Sequence, residues 1–305
     1  MSSELARRVA FGVVAAPIAI AIVVYGGAPL AALLAIASAL GAWEFFRIAR
    51  ASGQTPFDDA GIALAGVLPL LVHARYLQLY DPNGKLSAVE IAAIVILALL
   101  ALSIWARGVT GKPLSAVGST ILGVTYTGGM LSFGYALRYH EYAFAPAHLS
   151  LGGRAFVLPS GGLLLLLPLI TTWASDTGAY ALGRAIGRHK LIPSVSPGKT
   201  VEGAIGGLIA SVLVAWLFTQ FVLRPTAQLD FRWRPLGVIV VGAVISIAAQ
   251  VGDLAESLLK REAGVKDASN IIPGHGGVLD RVDSLLFVLP ISFIVFGWLL
   301  TWAPA

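Results

Sequence analysis

Between Val9 and Trp43 the sequence carries no charged residue in 35 consecutive positions, and few folds accept such a stretch. One helix of that length would reach about 50 Å at roughly 1.5 Å per residue, well past the roughly 30 Å hydrocarbon core of a bilayer. The segment Tyr25-Gly-Gly-Ala-Pro29 supplies a break, because paired glycines and a proline do not continue a helix cheaply. Two membrane spans follow from this, about 9–25 and 29–46. Arg7-Arg8 ahead of an apolar run also has the form of a secretory signal. A second long apolar span follows almost at once, so the first is expected to stay uncleaved.

Further apolar stretches lie near 60–79, 88–106, 114–137, 160–182, 203–223, 236–256 and 284–303. That makes nine spans; the 60–79 stretch contains His73 and Arg75, so eight is the alternative. Composition agrees. Only 12% of the 305 residues are charged and mean hydropathy is +0.83, whereas soluble domains are about a quarter charged. A water-soluble globule, disorder and a nucleic-acid-binding tail are thereby excluded. Lipid leaves exposed backbone groups unsatisfied and no period-two alternation appears, so the spans are helices. We expect an all-α, polytopic membrane helix bundle. Residues 1–150 would form about five N-terminal spans, and 151–305 a C-terminal membrane region with loops at 183–202 and 257–283. Glycines in small-xxx-small spacing, such as Gly203, Gly206 and Gly207, would let helices approach closely.

The net charge of +5 is what basic cytoplasmic loops give a membrane protein. With the N-terminus inside, Arg7, Arg8, Arg47, Arg50, Arg107, Lys112, Arg184, Arg188, Lys190, Lys199, Lys260, Arg261, Lys266 and Arg281 face the cytoplasm, 14 of the 21 lysines and arginines. Both long polar loops then share that face. No cysteine is present, which excludes disulfides, thiolate metal sites and a cysteine nucleophile.

The first 150 residues look chemically quiet. Glu44, Glu90, His140, Glu141 and His148 are read as interfacial or solvated side chains, and Trp43, Tyr80, Trp105, Trp298 and Trp302 as interfacial anchors. The C-terminal half differs. Asp176 ends an apolar span in Asp176-Thr-Gly-Ala-Tyr180, and a carboxylate at membrane depth costs about 2.5–3.5 kcal/mol at a helix centre, so it is expected to serve a partner or an ion. Ser196-Pro-Gly-Lys199-Thr200-Val-Glu202-Gly203 lacks the Gly-x-x-x-x-Gly-Lys-Ser/Thr spacing of a phosphate loop. It still sets hydroxyls and an ammonium at a helix start, where amides and dipole favour anions.

A second cluster opens at Asp253. Asp253, Ser257, Lys260 and Arg261 fall at i, i+4, i+7 and i+8, on one helix face. Lys266-Asp267 follows, then Pro273-Gly-His275-Gly276-Gly277 and Asp280-Arg281-Val-Asp283. The glycines permit positive φ and close backbone approach. Asp253, Asp280 and Asp283, with no cysteine, suit hard cations such as magnesium or manganese rather than zinc. Solvated loop charges would be the ordinary reading of such a run. They do not account for charges converging at one interface, among glycines, in a chain so poor in charge.

Ser257-x-x-Lys260-Arg261-x4-Lys266-Asp267 and Pro273-x-His275-Gly276-Gly277-x-x-Asp280-Arg281-x-Asp283 together resemble the signature of the phosphatidate cytidylyltransferase (CDP-diacylglycerol synthase) family. The Asp176 and Ser196–Gly203 motifs resemble that family too, so the likeness covers about 170–284. Gly198, Val201 and Ala268-Ser269-Asn270 depart from the usual residues, which touches substrate contacts rather than the reaction. The resemblance implies a nucleotidyltransferase: CTP plus phosphatidic acid gives CDP-diacylglycerol plus pyrophosphate, at a site open to the cytosol in the inner cell membrane. It implies a two-cation site of Mg2+, with Mn2+ or K+ as alternatives at one position, and a homodimer. Asp253 and Asp280 match the metal positions, with Asp176 and Asp283 as supporting or alternate ligands. Lys199, Lys260, Arg261 and Arg281 would clamp phosphates; Ser196, Thr200 and Ser257 would donate hydrogen bonds. Glu202, Lys266, Asp267, His275, Gly276 and Gly277 complete the substrate-binding set. Two rivals are a CTP-using polyprenol kinase, which attacks the γ-phosphorus, and an ion-coupled transporter using Asp176 and Asp253.

Overall fold

The computed structural model describes residues 16–79, 88–144, 146–151, 154–272 and 276–303. Each of the nine expected segments carries helix within them. The first is α1 (Ala16–Tyr25), followed by α2 (Gly27–Ala51), α3 (Asp58–Tyr76) and α4 (Ala88–Ala106). Next come α5 (Pro113–Val124) and α6 (Met130–Arg138), joined by a π-helical turn over Thr125–Gly129. Then follow α7 (Ser160–Ile186), α8 (Val201–Phe218) with a π-helical extension over Thr219–Ala227, α9 (Leu236–Glu262) and α10 (Leu279–Leu299). The break after Tyr25 falls where the glycine pair required it, with Gly26 and Gly27 at φ +75 and +56.

By length and composition, four of these helical stretches suffice to cross a bilayer: Gly27–Ala51, Val201–Ala227, Leu236–Glu262 and Leu279–Leu299. The chain is a mostly helical membrane protein on that ground. The stretch expected as one span over 114–137 is helical throughout, with the π-helical turn over Thr125–Gly129 between α5 and α6. Thr125 and Thr127 turn their hydroxyls onto the carbonyls of Ile121 and Gly123, each at 2.8 Å, a back-bonding that bends helices. A Cβ on Gly128 would lie 2.4 Å from the Ala65 carbonyl oxygen, so glycine lets backbone come against α3 here.

Beside the expected helices, the described residues form three short antiparallel strand pairs. They are β1 (Pro146–Leu151) with β2 (Arg154–Pro159), β3 (Lys190–Ile192) with β4 (Ser196–Thr200), and β5 (Leu229–Phe231) with β6 (Leu300–Trp302). β3, β5 and β6 have three residues each, too few to show alternation.

The described chain packs as two compact units. The first comprises 27–135 and 259–281; the second comprises the described residues of 9–26, 136–258 and 282–305. In the first, Phe46 is fully buried, and Cβ atoms on Gly61 and Gly123 would stand 2.4 and 2.3 Å from its ring. Lipid is as apolar as these side chains, so such close packing replaces the hydrophobic effect as the force between helices. In the second unit α7 and α8 meet through glycine. Cβ atoms on Gly203, Gly206 and Gly207 would stand within 2.6–2.9 Å of Ala179, Leu182 or Ser175 atoms, as the small-residue spacing required. There also, the Arg138 guanidinium donates to the carbonyls of Val23, Val24 and Tyr25 at 3.1, 2.8 and 3.3 Å, closing the end of α1.

Candidate active site

In the second unit, three elements bring charge together. Helix α7 carries Asp176, β4 carries Lys199, and α9 carries Asp253. The Lys199 ammonium lies 2.8 Å from Asp253 Oδ2, and the Ser257 hydroxyl donates to Asp253 Oδ1 at 3.3 Å. Asp176 interacts electrostatically with both Asp253 and Lys199. Two carboxylates therefore share one ammonium, which leaves a net negative charge. Glycine makes this convergence possible. A Cβ on Gly178 would lie 2.7 Å from the Gly206 carbonyl oxygen, and one on Gly252 would lie 2.7 Å from the Asp283 carbonyl oxygen. Asp283 turns its own carboxylate to the Ser284 amide, 2.6 Å away.

The β3–β4 hairpin has its own bracing. Thr200 is the N-cap of α8, its hydroxyl accepting from the Gly203 amide at 3.1 Å. The oxygen accepts through a lone pair, so its O–H is still available to donate. Glu202 accepts from the Arg188 and His189 amides at 3.0 and 3.2 Å and meets His189 Nδ1 at 2.6 Å. It pins the turn ahead of the hairpin. Lys190 donates to the Pro197 carbonyl at 2.7 Å. Ser196 is half-buried and Gly198 is open.

The first unit holds a separate cluster. Lys260 Nζ lies 2.6 Å from Asp280 Oδ1, with side chains only 11% and 7% exposed. Asp280 Oδ2 accepts from the amides of Gly277 at 2.8 Å and Ala268 at 3.0 Å. Gly276 has φ +77, and a Cβ there would come 2.8 Å from Asp280 Oδ2; the fold requires glycine at this position. Helix α9 closes through Gly264 at φ +68, with Val265 N donating to the Lys260 carbonyl at 2.9 Å. Arg261 donates to the Val265 carbonyl at 3.2 Å. Lys266, Asp267 and Arg281 are exposed. His275, with Pro273 and Gly274, lies outside the described residues.

Glu44 was read from the sequence as an interfacial or solvated side chain, and the structure corrects this. It is fully buried. Its carboxylate accepts from the Ser269 hydroxyl, from Val278 N at 3.0 Å and from Leu279 N at 2.5 Å. The sequence held a signal: Glu44 is the first charge after the 35-residue uncharged run. A carboxylate so placed is costly unless it has partners.

Among the described residues no three His, Cys, Asp or Glu side chains gather as a ready-made metal cage. The donor chemistry nonetheless suits a hard cation, since Asp176 and Asp253 offer carboxylate oxygens in excess of their ammonium. Magnesium completes its shell with water and substrate phosphates rather than an all-protein cage. Asp280 has its acceptor oxygens committed to Lys260 and two amides.

The sequence from residue 6 to 299 matches the model of the cytidylyltransferase family. A phosphatidate cytidylyltransferase of Staphylococcus haemolyticus is 36% identical over 261 residues, covering 82% of this chain and 93% of that protein. One from Synechocystis is 33% identical over 297 residues, covering 94% of each chain. One from Bacillus subtilis is 30% identical over 300 residues, covering 96% and 98%.

Proposed function

The chain belongs to the cytidylyltransferase family and is a nucleotidyltransferase, and from that premise we propose that it makes CDP-diacylglycerol from CTP and phosphatidic acid. The single observation that carries the site assignment is the Asp176–Lys199–Asp253 group, where charges from three elements meet. In the reaction a lipid phosphate oxygen attacks the α-phosphorus of CTP, and the bond from that phosphorus to the β-phosphate bridge breaks, releasing pyrophosphate. A phosphate monoester is already largely ionised near pH 7, so no residue need act as a base and His275 is not required as one. Two anions must approach each other, so the work is positioning and charge neutralisation.

Lys199, Lys260, Arg261 and Arg281 supply positive charge to the phosphates, and Ser196, Thr200 and Ser257 supply hydroxyls. Asp253 and Asp176 would hold a divalent cation, which would add Lewis-acid neutralisation of phosphate charge. Asp280 matches the second metal position by resemblance; holding Lys260 and the Ala268 and Gly277 amides is the part its hydrogen bonds support. Nine crossings with a cytoplasmic N-terminus, placement in the inner membrane and a homodimer belong to the same proposal.

The experiment is to incubate the purified chain with CTP and phosphatidic acid, with and without chelator, and to follow lipid by mass spectrometry. A nucleotide-linked diacylglycerol that disappears with chelator is the expected product. A phosphorylated lipid with CDP release would instead indicate a kinase, and ion flux without CTP a transporter.

A further inference from the structure

We infer that Glu44 is a positioning residue: from α2 it fixes the loop that leads into α10, and so sets Asp280 against Lys260. Three observations meet at this carboxylate. It is fully buried, in a chain with 12% charged residues. Its partners come from more than two hundred residues away, the Ser269 hydroxyl and the amides of Val278 and Leu279. Finally, a Cβ on Gly277 would lie 2.4–2.7 Å from the carboxylate atoms, so only glycine lets the loop reach it.

The division of donors gives the role. The first amides of a helix have no partner within it, and the positive end of the helix dipole favours an anion there. Glu44 takes Val278 and Leu279 N–H; Asp280 takes Gly277 and Ala268 N–H. With its backbone donors bound, Asp280 presents Oδ1 to Lys260 at 2.6 Å. Glu44 acts on the reaction through that loop and not by touching substrate.

The catalytic consequence rests on the proposed function, so the test has one arm that reads the loop alone. Glu44→Gln keeps the volume but offers one acceptor oxygen for three donors, and its amide nitrogen must face at least one of them. In the full chain in lipid nanodiscs, the amides of 268–272 and 276–279 should exchange hydrogen about 10-fold faster or more in this variant, while those of 58–76 keep their protection. Turnover should fall about 10- to 100-fold, mainly in kcat. Ser269→Ala should slow the wild type and add little to Glu44→Gln, because both act through one contact. Wild-type turnover or unchanged loop protection in Glu44→Gln overturns the inference, as does protection lost equally across 58–76. If the unsubstituted chain makes no nucleotide-linked lipid, the proposed function fails, while the exchange arm still decides whether Glu44 holds the loop.

Discussion

Replacing Asp280 with asparagine isolates what its charge does, because the side chain keeps its shape. Oδ2 faces two backbone donors, from Gly277 and Ala268, so the carbonyl of an asparagine turns there and its NH2 group turns to Lys260. The ammonium then loses its anion and faces a donor 2.6 Å away. Removing one partner of a buried pair costs about 3–5 kcal/mol. Lys260 is 11% exposed and can swing partly toward water, so the low end, about 3 kcal/mol, is expected. At 1.36 kcal/mol per decade that is on the order of 100-fold if the whole loss falls on the transition state. The assay pairs turnover of CTP with phosphatidic acid and thermal unfolding in the same detergent. A variant whose turnover stays within about 3-fold of wild type, well under 1 kcal/mol, and whose unfolding temperature is unmoved refutes the reasoning.

Other outcomes follow from the same geometry. Asp253→Asn and Asp176→Asn should each lower turnover and raise the magnesium concentration for half-maximal rate; an unchanged magnesium titration in both removes them as ligands. The Lys199–Asp253 pair is 26% and 38% exposed, so a double-mutant cycle on stability should give only about 0.5–1 kcal/mol of coupling, read by denaturant unfolding. Gly277→Ala should destabilise the chain by about 1–3 kcal/mol, since its methyl group enters the space of the Glu44 carboxylate; a neutral unfolding curve contradicts that packing. His140 is stacked on Tyr142 and edge-on to Phe293, and burial holds its imidazole below the ordinary value of 6.5. The unfolded chain therefore takes up the proton first, and stability should fall as pH drops through about 6.5. In His140→Gln that part of the pH dependence should vanish from thermal unfolding.

Local physics made much of this legible in the sequence. Glycine and proline at 26–29 could only break the apolar run, and α1 and α2 separate there. Helical spacing placed Asp253 and Ser257 on one face, and they hydrogen-bond. The spacing of Gly203, Gly206 and Gly207 marked the face that α8 turns to α7. What stayed hidden depends on distant partners or on one residue serving twice. Glu44 finds Ser269 and Leu279 across 225 and 235 positions, which no periodicity encodes. Thr200, expected as a phosphate donor, also caps α8 by accepting from the Gly203 amide. Gly276 and Gly277, expected in the substrate-binding set, also make room for the carboxylates of Asp280 and Glu44. The strand pair at 190–200 is too short to alternate visibly, yet it carries Lys199 toward Asp253.

The most direct test of the central claim follows the two ends of the CTP triphosphate separately. The purified chain in phosphatidic-acid vesicles is given CTP labelled at the α-phosphorus in one reaction and at the γ-phosphorus in another. The account predicts α-label in the lipid phase and γ-label in pyrophosphate, in equal amounts. Label from the γ-position appearing in lipid, or no lipid label from either, would contradict it.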